Sequence, residues 1–164
     1  MKKILLLLFV SLLIGGCSFT IGNNTVSISE NSSSTPVIET GKLLDLSHKN
    51  LTKIDMSVFD KISLEELNVS YNNLTGALPS QIGKLKKLKI LNASNNQMTG
   101  VPAEIGQLIN LEVLDLSNNQ LTGLPNELAN LKNLKTLNLS GNQYSEQDLQ
   151  GIRNSLPNVN YILK

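Results

Sequence analysis

Eleven residues decide the fold: Leu111-Glu112-Val113-Leu114-Asp115-Leu116-Ser117-Asn118-Asn119-Gln120-Leu121. They follow the pattern Leu-x-x-Leu-x-Leu-x-x-Asn-x-Leu, which recurs from about residue 41 to the C-terminus. We place the fourth position of successive copies at Leu44, Leu67, Leu91, Leu114, Leu137 and Ile162, with steps of 23 to 25 residues. A repeat of this period predicts a solenoid, in which equal units stack in one direction.

Within each unit, Leu114-Asp115-Leu116-Ser117 alternates apolar and polar residues, as a strand with one buried face does. One such strand cannot bury its leucines alone, so neighbouring units must bury them jointly. Each buried leucine then contributes roughly 1.5–3 kcal/mol. An asparagine follows each strand where the chain turns inward, and its amide can satisfy backbone groups that would otherwise lack partners. These asparagines are Asn72, Asn96, Asn119 and Asn142.

The pattern resembles the leucine-rich repeat family over residues 41–164. The resemblance implies an α/β solenoid, an arc with short parallel strands on its concave side and short helices on its convex side. It would contain about five repeats plus a terminal strand. In the family, asparagines at this position form an asparagine ladder. The first unit has Lys49 there instead, which fits an end unit because terminal repeats often depart from the consensus.

The outer part of each unit is predicted to be a short helix, opened by Pro79, Pro102 and Pro125. The last unit differs, because Ser145-Glu146-Gln147-Asp148 reads as a capping box that opens a longer helix to about Ser155. A sixth strand is expected from Val159 to Leu163. This strand would be a sheet edge, which requires protection or a partner.

Residues 1–16 are predicted to be a lipoprotein signal peptide. Lys2 and Lys3 precede an apolar run, residues 4–14, that is too short to span a hydrocarbon core of about 30 Å. Ile14-Gly15-Gly16-Cys17 resembles the lipobox of bacterial lipoproteins, which implies a diacylglycerol on the Cys17 thiol. Two or more acyl chains give stable membrane anchoring. The alternative is an ordinary secreted protein with a stray or structural cysteine.

Residues 17–40 are predicted to be the lipidated cysteine followed by a tether rich in Ser, Thr and Asn. The alternative is a short hairpin that caps the stack, with strands at residues 19–21 and 25–29 around Gly22-Asn23-Asn24. We prefer the tether, because no apolar period is sustained in this stretch. Ser18, and not Asp, follows Cys17, which favours the outer membrane if the cell has two membranes.

Composition and motifs exclude several classes of function. Removing residues 1–16 takes away two lysines and no acid, which leaves 12 basic against 13 acidic residues and no basic patch for nucleic acid. The single histidine, His48, has no partner that suggests a triad or metal site. Asp45 and Asp115 share a register three units apart, about 15 Å at the spacing of strands, which is too far for a glycosidase pair. We therefore expect no enzymatic activity, no cofactor and no metal.

The outward strand positions should form columns along the concave face. The first column varies most and places the apolar Ile90 and Val113 between polar neighbours. A small apolar area with a polar rim is typical of a contact with a partner. A serine column (Ser47, Ser70, Ser94, Ser117 and Ser140) is expected to face outward and be solvated. The candidate partner-binding residues are Glu66, Tyr71, Ile90, Asn92, Asn95, Val113, Asp115 and Asn118.

Two functional hypotheses follow. The first is a lipid-anchored recognition module of the cell envelope, a monomer that binds an unidentified protein or glycan through its concave face, without catalysis. The family resemblance supports this by analogy, since bacterial surface leucine-rich repeats are mostly interaction domains. The second is a structural component that self-associates as a dimer through the C-terminal edge strand.

Overall fold

A seven-stranded sheet runs along the inner side of a stack of coils. The computed structural model describes residues 18–21, 24–27, 38–40 and 42–163, with side chains from residue 42 onward. The predicted signal peptide and Cys17 lie outside the described residues. The sheet has the order β11-β10-β9-β7-β5-β4-β3, and all neighbouring strands are parallel except β3 and β4. Its strands are β3 Ile38–Thr40, β4 Leu43–Asp45, β5 Glu66–Asn68, β7 Ile90–Asn92, β9 Val113–Asp115, β10 Thr136–Asn138 and β11 Asn160–Ile162.

The core is a column of leucines that the coils stack one above another. In the parallel strands from β4 to β10 the middle residue points inward, and Leu67, Leu91, Leu114 and Leu137 pair in register with an exposure of 1% or less. A second short parallel ladder joins β6 Thr75–Gly76 to β8 Gln97–Met98, just beyond the turn after the sheet. The solenoid predicted from the repeat is confirmed.

Short helices form the convex side, as the prolines predict. Four 3₁₀ helices span Met56–Asp60, Ser80–Lys84, Ala103–Gln107 and Asn126–Asn130, and the last three follow Pro79, Pro102 and Pro125. Each contributes an inward-facing apolar residue, Ile82 in the second and Ile105 in the third. The proline fixes φ near the value that a helix start requires, and its missing N–H costs nothing there.

The longer C-terminal helix, α1 Glu146–Ser155, begins and ends where the sequence predicts. The hydroxyl of Ser145 caps it by accepting the N–H of Gln147 at 3.2 Å. Asp148 does not complete a reciprocal capping box. Its carboxylate accepts the backbone N–H of Leu124, 24 residues earlier, at 3.2 Å. The acid therefore fastens α1 to the preceding coil.

The N-terminal stretch differs from the preferred tether. Residues Ser18–Ile21 (β1) and Asn24–Ser27 (β2) pair as an antiparallel hairpin, close to the alternative that the sequence left open. β2 contacts β3, and β3 pairs antiparallel with β4. The main sheet thus begins at Ile38, three residues before the expected boundary at residue 41. Without β3, the backbone groups on the outer edge of β4 would lack hydrogen-bond partners, which explains why residues before the first repeat add a strand to the sheet.

The last strand has a register one residue away from our assignment. Leu137 pairs with Tyr161, not with Ile162, and Asn138 pairs with Ile162. Because side chains alternate along a strand, this shift turns Tyr161 and Leu163 onto the core and leaves Ile162 40% exposed. Three consecutive apolar residues, Tyr161 to Leu163, fit either register in the sequence. In the observed register the Tyr161 hydroxyl donates to the carbonyl of Leu156 at 3.0 Å, and the Arg153 guanidinium lies 5.4 Å from the centre of the Tyr161 ring.

Candidate functional site on the concave face

The first outward column consists of the residues that open the parallel strands. Glu66, Ile90, Val113 and Thr136 lie side by side in register on β5, β7, β9 and β10. Ile90 and Val113, expected to be exposed, are only partly exposed. Neighbouring strands lie about 4.8 Å apart, so side chains in one column cover each other's flanks. The column brings the candidates Glu66, Ile90 and Val113 into a continuous row.

The side chains of the second outward column hydrogen-bond to the backbone of the turn that follows, a role that the sequence did not predict. Its members are Asp45, Asn68, Asn92, Asp115 and Asn138. In each, Oδ1 accepts the backbone N–H of the serine two residues on, at 2.9–3.2 Å. Asp115 also accepts a bond from the Asn138 amide at 3.1 Å through its second oxygen. The candidates Asn92 and Asp115 can thus offer only part of their polar capacity to a partner.

The three central members of the serine column are buried and the two outer ones, Ser47 and Ser140, are half-buried, which contradicts the expectation that the column is solvated. Ser70, Ser94 and Ser117 are 3%, 4% and 5% exposed. The hydroxyl groups of Ser70 and Ser117 donate to the preceding Asn68 and Asp115 at 2.7 Å. The strands end two residues before the serine, so the alternation no longer applies there and the chain already turns into the coil.

A row of left-handed residues follows the serines and borders the concave face. His48, Tyr71, Asn95, Asn118 and Gly141 all have positive φ, between 51° and 69°. Asparagine and glycine tolerate this conformation, whereas an aromatic side chain adopts it rarely. Strained backbone of this kind concentrates at functional sites. We call these five residues the strand-end row.

Planar side chains stack along the strand-end row. The rings of His48 and Tyr71 lie 4.4 Å apart between centroids and 12° from parallel. Asn118 donates its amide to Asn95 at 3.2 Å. Tyr71 is nevertheless 53% exposed. The stack on His48 restricts the orientation of a tyrosine side chain that is still half-exposed, which lowers the entropic cost of binding through it.

The ladder asparagines lie behind this row and join successive coils. In each of the four, the amide nitrogen donates to carbonyls of its own coil and of the coil before it. The amide oxygen accepts a backbone N–H from the previous coil, as Asn96 accepts that of Leu74 at 3.0 Å. Three of the four asparagines are buried and Asn142 is half-buried, so the ladder is structural and holds the strand-end row in place.

The concave face contains a hollow of about 190 Å³ at its N-terminal half. Its lining includes the acidic residues Asp45 and Glu66. It also includes the apolar residues Leu43 and Ile90. A larger groove, of about 290 Å³, lies beyond the turns of the first coils beside Met56. None of the eight candidate residues lines that groove. Glu66, Ile90 and Asn92 line the hollow, while Tyr71, Asn95 and Asn118 lie in the strand-end row.

A sequence profile described as a leucine-rich repeat region matches residues 32–162. The chain belongs to the leucine-rich repeat family. No curated protein matches it in sequence. A leucine-rich repeat protein of Leptospira interrogans is similar in structure, with 42% identity, a TM-score of 0.63 and coverage of 66% of this chain. This chain spans 28% of that protein.

Plant receptor ectodomains are also similar to this leucine-rich repeat domain. The ectodomain of the receptor kinase SOBIR1 of Arabidopsis thaliana is 31% identical, with a TM-score of 0.59 over 73% of this chain and 67% of that one. The BIR3–SERK2 complex of the same plant is 33% identical, with a TM-score of 0.58 over 73% and 63%. The leucine-rich repeat is typically a scaffold for protein interaction and not a catalyst.

The leucine-rich repeat coils carry an ion-pair ladder on their flank that our sequence reading missed. Five residues of alternating charge directly precede the parallel strands: Lys42, Glu65, Lys89, Glu112 and Lys135. Glu65 binds the ammonium groups of both Lys42 and Lys89 at 2.7 Å, and Glu112 pairs with Lys135. These hydrogen bonds lower the pKa of Glu65 to about 2. Writing the repeats in register would have revealed the alternation.

We expect Lys89→Gln to raise the pKa of Glu65 from about 2 toward its ordinary value of 4.5, because one of its two cationic donors is lost. The folded pKa lies below the unfolded one. The stabilisation by Glu65 is therefore complete above about pH 4.5 and is lost as the pH falls through about 2. Carboxyl-carbon NMR titration measures this shift. Lys84→Gln is the control, since Lys84 pairs with Asp60 on the convex side. An unchanged titration of Glu65 in Lys89→Gln would contradict the ion-pair ladder.

Two further observations bear on the chemistry of the described residues. No group of three or more His, Cys, Asp or Glu side chains within them is arranged to hold a metal ion. In the same part of the chain, no helix has the length and apolar character that crossing a membrane requires.

Proposed function

We propose that this protein is a lipid-anchored recognition module of the bacterial cell envelope, and that its concave face binds a protein partner without catalysis. The observation that carries the proposal is the strand-end row with its stacked, half-exposed Tyr71. A rigid aromatic residue in a strained backbone, at the border of the face that also carries the partly exposed Ile90 and Val113, suits a binding surface. The similarity to a receptor pair that forms a complex, BIR3–SERK2, supports a role in protein recognition.

The anchor rests on the sequence. Lys2, Lys3, the apolar run and Ile14-Gly15-Gly16-Cys17 together resemble a lipoprotein signal. A thioether-linked diacylglycerol on Cys17 with a further acyl chain would hold the protein at the membrane. We expect the protein in the membrane fraction of cells and Cys17→Ala in the soluble fraction. Equal membrane retention of Cys17→Ala would contradict lipid anchoring.

Site-specific photo-crosslinking in intact cells tests the recognition. Tyr71 is replaced by p-benzoylphenylalanine, which keeps the aromatic ring. Ile109 is the matched control, because it is 58% exposed against 53% for Tyr71 and lies on the return segment of its coil. We expect a discrete adduct at position 71 and none at position 109, with the partner identified by mass spectrometry. Equal labelling at both positions would contradict a binding role for the concave face. Adducts between two copies of this chain alone would favour self-assembly.

A further inference from the structure

Within the part of the chain that the structure describes, the outward strand positions of the concave face carry negative charge and no lysine or arginine. Each parallel strand from β4 to β11 presents its first and third residue outward. Among these outward positions the charged residues are Asp45, Glu66 and Asp115, and none is a lysine or arginine. Most charged protein surfaces mix both signs. A surface of one sign attracts partners of the opposite sign.

The lysines that directly precede the strands, Lys42, Lys89 and Lys135, form ion pairs with Glu65 and Glu112, which lie outside this face. None of the ion pairs in the described part of the chain involves Asp45, Glu66 or Asp115. The hydrogen bond to Glu65, at 2.7 Å, is the main cause that raises the pKa of Lys89, and the charge of Glu66 contributes least. The flanking lysines are thus engaged in the ion-pair ladder. Asp45 commits one carboxylate oxygen to the Ser47 N–H and Asp115 commits both of its oxygens, so the second oxygen of Asp45 and the Glu66 carboxylate are the groups that can meet a cation.

The hollow at the N-terminal half combines charge with apolar surface. Asp45 on β4 and Glu66 on β5 are diagonal neighbours, since Leu43 pairs with Glu66 and Asp45 with Asn68. Leu43 and Ile90 line the same hollow of about 190 Å³. Lysine and arginine side chains have an apolar stem and a cationic head, and they bury the stem against apolar groups while the head meets polar ones. The lining of the hollow matches both parts.

We infer that the concave face docks a basic segment of a protein partner and that the hollow receives one lysine or arginine side chain. The stem contacts Leu43 and Ile90, and the cation lies between the Asp45 and Glu66 carboxylates. This inference rests on the proposed function of the concave face and names the chemistry of its partner. Charge complementarity of this kind raises the association rate and selects among partners.

A displayed peptide library tests the inference. The purified full chain in detergent is immobilised and exposed to random dodecapeptides on phage. The test variant is Asp45→Asn with Glu66→Gln. Asn68 and Asn92 show that asparagine can cap the following serine at this register, so the variant should fold. The control is Glu104→Gln with Glu127→Gln, which removes the same charge from the convex side.

We expect selected peptides to contain Lys or Arg about threefold more often than the starting library. Their affinity should fall about tenfold or more in the test variant, less than about twofold in the control, and should weaken with added salt. Peptides that bind the concave face without enriched basic residues would overturn this inference and leave the proposed function standing. Equal binding by wild type and test variant would overturn it too. Absence of any selected peptide would count against both proposals.

Discussion

Asn96→Asp is expected to lower the free energy of unfolding by about 3–5 kcal/mol at neutral pH, the usual cost of an uncompensated buried charge. Asn96 is 8% exposed, and its amide nitrogen donates to the carbonyls of Val69, Ala93 and Ser94 at 3.0–3.2 Å. A carboxylate there would face three carbonyl oxygens with no proton to donate. The shape is unchanged, so the loss measures the ladder and not a cavity.

The effect of Asn96→Asp should depend on pH. The site raises the folded pKa of the new carboxyl above its unfolded value of about 3.9. The loss of stability is therefore small below that value and grows as the pH rises toward the folded pKa. Urea denaturation at several pH values measures it.

Asn133→Asp provides the control, because Asn133 is exposed and donates only to the carbonyl of Ile109, at 2.8 Å. It should cost about 1 kcal/mol or less. Equal losses at the two positions would argue against a structural ladder.

Gly106→Ala is expected to destabilise the stack by about 2–3 kcal/mol, at the upper end of the usual cost of overpacking. Gly106 is buried in the third 3₁₀ helix. A Cβ atom there would lie 2.3 Å from the backbone oxygen of Glu127 in the next coil. Backbone cannot rotate away as a side chain does, so the two coils must separate. Thermal and urea denaturation measure the loss.

Gly83→Ala is the matched control one coil earlier. Its Cβ would meet the side-chain oxygen of Gln107 at 2.8 Å. That amide is the end of a flexible side chain and can move, so we expect a loss below about 1 kcal/mol. Equal stability of the two alanine variants would show that the close approach of the Glu127 backbone is not the reason why position 106 requires glycine.

The sequence predicted the repeated parts of the molecule well. The inward leucines, the short convex helices after the prolines and the bounds of α1 follow from local patterns that each unit repeats. The ladder positions Asn72, Asn96, Asn119 and Asn142 could also be read directly. Repetition supplies several independent copies of each signal, so a weak pattern in one coil is reinforced by the others.

The errors have two causes. Within the repeats, the buried serines come after the strand and its alternation have ended, and Ile90 and Val113 are covered by neighbours in other coils. At the last coil, α1 replaces the usual 3₁₀ helix and the register of β11 departs from the repeat. The hairpin of β1 and β2 has no counterpart in the repeats.

The candidate site shows the same division. The sequence placed Glu66, Ile90, Asn92, Val113 and Asp115 on one face, because period-2 alternation fixes which side a strand residue points to. The sequence did not indicate that Oδ1 of Asn92 and of Asp115 accepts a backbone N–H. This hydrogen bond depends on the shape of the turn that follows the strand.

By itself, the sequence determined the solenoid, its register through most of the chain and the residues that face inward, since these follow from periodicity within each coil. Only the tertiary structure decided the stack of His48 on Tyr71, the hollow between Asp45 and Glu66 and the ion-pair ladder of the flank. Each of these joins residues more than twenty positions apart. Such contacts are set by the spacing and rotation between coils, which no single repeat encodes.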